Sequence, residues 1–377
     1  RVNSNGIIED IAANQPRVNY TPSAIGAVAN SGHILLEPTS TNWSYRTSTN
    51  PSTWHGSQNV SITTGKADPM GGTDAAEVTV TSVSSATYTR NLFQGNSSMH
   101  TQFTVSYFLK YVDHQWMMLR PIFWSGGEDN KTWFDIENGV IGTNNNDSAT
   151  IEAYPNGWYR CSVTFTIDPS TDPSGYVHVQ AMDGDGSNTQ TNSVKYEACF
   201  SQGEDKDFPT SYITVASNLT PVTRTQGTLT GSGSASLINN TAGTLYVEYA
   251  SFPGDTSLRR ICIGDDTDDI KIGFKESNQI QGQIKDGGTT LSATSTTDIT
   301  SFNKVAVRYK SGDNNMFVNG SQSTVGTFRN GTFSGFSFSN LSFDQDGAGT
   351  NAFAGRVKCL VYFQTALNDT DLGNLTN

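Results

Sequence analysis

The chain has 377 residues, of which 35% are hydrophobic and 15% charged, and 23 Lys and Arg against 35 Asp and Glu give a formal charge of −12. That length exceeds one all-β core and points to two domains, while the composition is polar without being that of a disordered chain. The acidity is spread along the chain and argues against a nucleic-acid partner, since phosphate contacts need a basic surface. No apolar run is long enough to span a bilayer, and the N-terminus is not laid out as a signal peptide. Because the sequence opens on Arg1, it reads as a processed part of something longer.

Residues 1–42 have a turn at Asn3-Ser-Asn-Gly6, prolines at Pro16, Pro22 and Pro38, and little helical periodicity, which predicts an extended arm. From Trp43 onward β-type runs recur at 76–81, 86–91, 103–112, 119–124, 158–167, 176–181 and 193–200. Phe103, Val105, Tyr107, Leu109 and Tyr111 alternate with polar residues, as on a half-buried antiparallel strand. A first sandwich is therefore expected over 43–214. A Thr/Ser/Gly-rich linker follows at 215–236, then a second sandwich over 237–377 with runs at 245–250, 259–264, 270–274, 279–285, 303–310, 316–318 and 356–363. Asp286-Gly-Gly288, Gly312-Asp-Asn314 and Asn319-Gly320 supply hairpin turns, because Gly and Asn accept positive φ. One short helix closes the chain, with Asn368 as its cap, Asp371 three residues on, and Leu372 and Leu375 facing the core. The fold class is thus all-β: an N-terminal arm plus two antiparallel β-sandwich (jelly-roll) domains.

Cys161, Cys199, Cys262 and Cys359 lack the short pairings of zinc or redox motifs. Cys161 alternates with Tyr159, Val163, Phe165 and Ile167, and Cys359 with Val357, Val361 and Phe363, so buried reduced thiols are expected. Such usage fits assembly in a reducing compartment.

Several segments resemble tailed-phage structural proteins of the tail-fibre, tail-spike or head-fibre type, which join an arm to a carbohydrate-binding-module-like jelly roll and a concanavalin A-like sandwich. Arg1-Val-Asn-Ser-Asn-Gly-Ile-Ile-Glu9, Pro16-Arg-Val-Asn-Tyr-Thr21 and Leu35-Leu-Glu-Pro38 look like such an arm. Asp68-Pro-Met-Gly-Gly-Thr-Asp74, Gly157-Trp-Tyr-Arg160 and Asp207-Phe-Pro-Thr-Ser-Tyr-Ile213 are similar to landmarks of the jelly roll. Phe353-Ala-Gly-Arg-Val357 and Val361-Tyr-Phe-Gln-Thr-Ala-Leu367 resemble the end of laminin-G-like or pentraxin-like sandwiches. Val194-Lys-Tyr-Glu-Ala-Cys-Phe-Ser-Gln202 departs from the Trp-Gly-Ala-Gln-Leu-Glu usual there, so no ligand contact of that Trp carries over. The resemblance implies a virion protein, a fibre, spike or decoration component on head or tail. Its arm would dock on other virion proteins and its sandwiches would meet host surface polysaccharide, and a homotrimer would be in keeping with such fibres. A purely structural decoration role and a secreted carbohydrate-active enzyme or accessory module are the alternatives.

Sugar-binding sandwiches use flat aromatic faces beside amides and carboxylates. Trp116, Trp124 and Trp133 lie close together in sequence, and Trp54 lies in a polar loop; each can be read as core or as ligand platform. Asp135-Ile-Glu137 could set two carboxylates on one face of a strand, yet it lacks the outer glutamate of the retaining-laminarinase pattern, and no nucleophile or phosphate-loop motif is present. A non-enzyme with no required cofactor is the expectation, with Asp135 kept as a carbohydrate contact. Asp183-Gly-Asp-Gly-Ser187 opens like a calcium loop without its later glutamate and reads better as a turn. Asp265, Asp266, Asp268 and Asp269 could supply oxygen ligands to Ca²⁺ or form a solvated hairpin tip, with Asp344-Gln-Asp346 as a second source of ligands.

Overall fold

The computed structural model describes residues 1–12, 15–21, 32–83, 87–122, 130–216, 220–229, 234–255, 257–265, 267–276, 278–287, 289–323, 325–338, 340–344 and 352–377. The described residues are all-β apart from three 3-10 turns and the helix Asp369–Thr376, and the chain divides into two compact units. Unit 1 comprises Arg1–Gly32 and Thr39–Thr225; unit 2 comprises His33–Pro38 and Gln226–Asn377. No helix among the described residues is long and apolar enough to cross a membrane.

Unit 1 is a sandwich of two six-stranded antiparallel sheets. One runs in the order Val140–Asn144, Thr132–Asp135, Trp116–Ile122, Ser174–Ala181, Tyr88–Gln94, Gly56–Gln58. The other runs Ser148–Tyr154, Trp158–Thr166, Gln102–Tyr111, Lys195–Glu204, Ala75–Val80, Val60–Lys66. The period-2 pattern sends Phe103, Val105, Tyr107 and Leu109 inward against Met117, Leu119, Val177 and Val179. Cys161 joins this core as a free, buried thiol, and burial pushes its pKa up.

Two of the three jelly-roll landmarks, 157–160 and 207–213, meet through a hydrogen bond, and the third, 68–74, closes on itself. Asp68 accepts from the backbone N–H of Met70, Gly72 and Asp74, closing its own loop. Buried Arg160 donates through Nη1 to the Thr210 carbonyl at 2.7 Å and through Nη2 to Ser106 Oγ at 2.9 Å. Thr210 in turn donates its N–H and hydroxyl to the buried carboxylate of Glu204, at 2.8 and 2.5 Å. Arg160 and Glu204 thus help to fasten the 205–213 loop to the sheet.

Residues of the expected extended arm take part in both units. Arg1–Glu9 folds back on itself through a Val2–Ile8 bridge and the Arg1–Glu9 ion pair of 2.7 Å. Val2 and Ile8 are buried with Phe108, Trp158 and Phe200, because their apolar side chains find a satellite core on unit 1. His33–Leu36 instead pairs with Gly355–Phe363 in unit 2, and Ser40–Asn42 pairs with Val222–Arg224 in unit 1. The boundary between Thr225 and Gln226 falls inside the expected linker.

Unit 2 is also a sandwich. One sheet contains His33–Leu36, Gly355–Phe363, Ala242–Ala250, Asn303–Lys310, Asn315–Val318 and Ser321–Gln322 in that order. The other contains Val325–Gly326, Thr289–Thr296, Gln279–Asp286, Asp268–Glu276, Arg259–Gly264 and Leu341–Ser342. Ile261, Ile263, Ile270, Ile272 and Phe274 fill the space between them with Val305, Val307 and Tyr249. Asn319 and Gly320 both adopt positive φ, 49° and 77°, as a tight hairpin turn requires. Asn368 caps the terminal helix by accepting from Asp371 N–H at 2.9 Å, and Leu372 is buried against Tyr246, Ala306 and Phe317.

Candidate functional site

A cavity of about 380 Å³ opens in unit 1 where the loops 111–116, 136–138 and 183–194 converge. It is lined mainly by polar groups, with Tyr111 and Trp116 as its aromatic members and Glu137, Asp183, Gln115 and Asn192 around them. Its size lies at the small end of the roughly 300–1,000 Å³ spanned by small-molecule sites.

Trp116 begins a central strand, so its backbone is fixed by pairing with Asp135 on one side, while its carbonyl accepts from Met182 N–H at 2.9 Å. The indole is half-buried and packs on Met118, Trp133 and Met182. Gly142 lets the ring lie close, since a Cβ there would come 2.6 Å from Trp116 Cζ3 and 2.4 Å from Asp185 Oδ1. His114 Nε2 donates to the Trp116 carbonyl at 3.0 Å. Burial lowers the His114 pKa, outweighing the hydrogen bonds to the Trp116 and Met182 backbones and the attraction of Asp113 and Asp183, so the ring is neutral at pH 7.

The far wall is built by Asp183. Its carboxylate accepts from the N–H and hydroxyl of Thr191 at 2.9 and 3.0 Å, and from the Thr189 hydroxyl at 3.1 Å. The Thr191 N–H is the first cause holding its pKa below the usual range. Between these threonines sits Gln190, only 4% exposed, whose Nε2 donates to the Asn192 carbonyl at 2.9 Å. Its Oε1 is buried with no hydrogen-bond partner among the described residues, although Gln190 lines the cavity. A buried acceptor left in that state costs about 1–3 kcal/mol, which a ligand hydroxyl would recover. Gln190 carried no signal in the sequence, because nothing in Asn188-Thr-Gln-Thr191 distinguishes it from any polar loop.

The expected site residues divide sharply. Trp116 lines the cavity. Trp133 is buried beneath it, its Nε1 donating to the Ser187 carbonyl at 2.8 Å. Trp124 lies outside the described residues. Trp54 is not an exposed loop residue: it is buried, donates Nε1 to the Ser48 carbonyl and packs edge-on against Tyr107 at 5.1 Å, because a 3-10 turn at Pro51–Thr53 swings it into the core. Asp135 is corrected as well. Its carboxylate accepts from Gln115 Nε2, Asn138 Nδ2 and the N–H groups of Glu137 and Asn138, so it closes the turn below the cavity and only Glu137 of the pair reaches the lining. Burial raises the Asp135 pKa, but those donors outweigh it and the net shift is downward.

The acidic loops are likewise occupied in turn formation. Asp185 accepts from Thr143 N–H at 2.6 Å. Asp265 accepts from the N–H groups of Thr267 and Asp268, and Asp268 from those of Gly287 and Ser337. Asp269 is fully buried and ion-paired with Lys271 at 2.8 Å, since both lie on one face of the Asp268–Glu276 strand. Asp266 and Asp346 lie outside the described residues. Among the described residues no group of three or more His, Cys, Asp or Glu is placed to hold a metal ion.

Unit 2 has a different cavity, about 480 Å³, lined by Leu237, Ile238, Ile263, Leu341 and Leu360. It is apolar, and the Tyr362 hydroxyl on its rim is already bonded to Asn239 N–H and Tyr309 Oη.

No family model matches the chain, and no curated protein is similar to it. Solved structures of jelly-roll and concanavalin-like class are similar at low level. The CBM40 of the Ruminococcus gnavus IT-sialidase, bound to α2,3-sialyllactose, matches with a TM-score of 0.33 and 13% identity over 40% of this chain and 96% of that one. The native heptameric SAP-like pentraxin of Limulus polyphemus matches with 0.30 and 12% over 37% and 73%. The LG4-5 domains of the mouse laminin α1 chain match with 0.28 and 12% over 74% and 88%. None of these three is a phage protein.

Proposed function

We propose that this protein is a non-enzymatic glycan-binding protein whose binding site is the unit 1 cavity between Trp116 and Gln190. The single observation carrying this reading is the pairing of half-buried aromatic surface with a buried, unsatisfied amide oxygen in one cavity. A pyranose presents an apolar C–H face and a ring of hydroxyls, and these match Trp116 or Tyr111 on one side and Gln190, Asp183, Glu137 and Asn192 on the other. Cleavage of a glycosidic bond would need a second free carboxylate beside Glu137, and Asp113, Asp135 and Asp183 each already accept hydrogen bonds from neighbouring groups. The virion setting rests on the sequence resemblance alone: a fibre, spike or decoration component of a tailed phage, meeting the host surface polysaccharide.

A glycan panel probed with the whole chain tests the binding reading. Wild type is expected to retain at least one neutral or acidic glycan, with Trp116→Ala weakening it tenfold or more and Gly142→Ala, which pushes the indole, several-fold. No binding across a broad panel, or binding indifferent to both substitutions, would leave a purely structural role.

A further inference from the structure

The first sheet of unit 1 carries a second constellation on the face turned away from its core. Gly56, Arg90, His178 and Arg120 stand in register across four adjacent strands, Gly56 opposite Arg90, Arg90 opposite His178, and His178 opposite Arg120. Side chains in one cross-strand row share a face, so three basic groups are set side by side. In a chain with a net charge of −12 this is a local reversal of sign.

Arg90 is held between two tyrosines, its guanidinium carbon 5.3 Å from the Tyr88 ring centroid and 4.3 Å from that of Tyr176. The guanidinium has neither a carboxylate nor a hydrogen-bond acceptor among the described residues, and its Nε is buried. His178 is 6% exposed and stacks on Tyr88 at 3.9 Å, and its Nε2 is buried without a partner. Burial first, then repulsion by Arg90 and Arg120, lowers its pKa to about 3, so it remains neutral and its Nε2 can take part in a hydrogen bond. His55, edge-on to Tyr176 at 4.9 Å, also has its pKa lowered, by burial and then by Arg90 and Arg46. The charges acting on both rings are positive, and a structure that leaves a stacked guanidinium unpaired keeps its donors for something else.

We propose that the Arg90–His178–Arg120 row is a binding site for an oxyanion, carried as the carboxylate of an acidic saccharide. The planar fork of Arg90 suits a carboxylate bidentately, and the flanking tyrosines offer apolar and hydroxyl contacts to the sugar that bears it. That the carrier is a saccharide rests on the function proposed above; the oxyanion site stands on Arg90 and its neighbours alone.

Calorimetric titration of the full chain with digalacturonic acid, sodium sulfate and neutral galactobiose tests this. Digalacturonate and sulfate are expected to bind wild type, Arg90→Gln to weaken both at least tenfold, and Arg329→Gln, an exposed basic residue of unit 2, to leave both unchanged. Arg90→Lys, which keeps the charge and loses the fork, is expected to fall between. Should Arg90→Gln disturb the fold, seen as a lowered melting temperature, Arg120→Gln gives the same test from the other end of the row. Equal anion affinity in wild type and the variants, or no anion binding by wild type, overturns the site. Sulfate binding without digalacturonate binding overturns the saccharide carrier, and a wild type that binds digalacturonate only through Trp116 moves the ligand to the cavity and overturns this site too.

Discussion

Arg160→Ala is expected to destabilise unit 1 by about 3–5 kcal/mol, the sum of lost charge-assisted hydrogen bonds and the cavity left by a buried side chain. The guanidinium ties the Thr210 carbonyl to Ser106 Oγ and lies 5.6 Å from the Phe108 ring centroid. Without it, the 205–213 loop keeps its bonds to Glu204, Gln202 and Asn42, but Ser106 Oγ loses the guanidinium and the Thr210 carbonyl is left with the 3.2 Å bond from Gln202 Nε2. Urea unfolding followed by tryptophan fluorescence reads this directly, because every tryptophan of the chain, from Trp43 to Trp158, falls in unit 1. Arg160→Lys should recover part of the loss, having one donor group where the fork had two. An Arg160→Ala midpoint equal to wild type would show that the landmark residues do not clamp the loop.

The second large effect is a loss of stability on mild acidification. His178 in unit 1 and His33 in unit 2 are both buried, and their pKa values are lowered to about 3 and about 4, burial being the first cause in each and neighbouring Arg and Lys charges the second. The unfolded chain binds protons at these histidines below pH 6.5 while the folded chain does not, so stability is full above 6.5 and falls as pH drops toward the folded values. By pH 5 each contributes a loss of about 2 kcal/mol. His55 and His114 are shifted in the same direction, burial again first, and add to the effect. The carboxylates whose pKa is lowered, Glu9, Glu77 and Asp298 among them, begin to matter only at lower pH. Urea midpoints at pH 7.5 and 5.0 check this, and His178→Gln should flatten the dependence of the fluorescence-detected step. A wild-type midpoint unchanged over that interval would contradict the burial assigned to these rings.

Much of the fold was legible because burial imposes period 2. The run expected at 103–112 is the strand Gln102–Tyr111, that at 259–264 is Arg259–Gly264, and that at 303–310 is Asn303–Lys310. Strands at or next to a sheet edge were not legible: Val60–Lys66 and Thr289–Thr296 are half-exposed and rich in Thr and Ser, so their alternation carries little contrast. The arm misled because Val2 and Ile8 are too few to show a core, and their partners Phe108, Trp158 and Phe200 lie about a hundred residues or more away. Aromatic content alone could not sort Trp54 from Trp116, since the 3-10 turn that buries one and the Gly142 contact that seats the other are tertiary facts. The acidic clusters were open to two readings in sequence, cation ligands or turns, and in space Asp183, Asp185 and Asp265 act as acceptors for nearby N–H and hydroxyl groups.

The most direct test of the cavity as a glycan site is the side-chain amide signal of Gln190 in a nitrogen-15 NMR spectrum, followed while the best glycan from the panel is added. Saturable shifts at Gln190 and at the Trp116 indole, absent in Trp116→Ala, are what the account predicts. Binding that leaves both signals in place would contradict it and would put the sugar elsewhere on the protein.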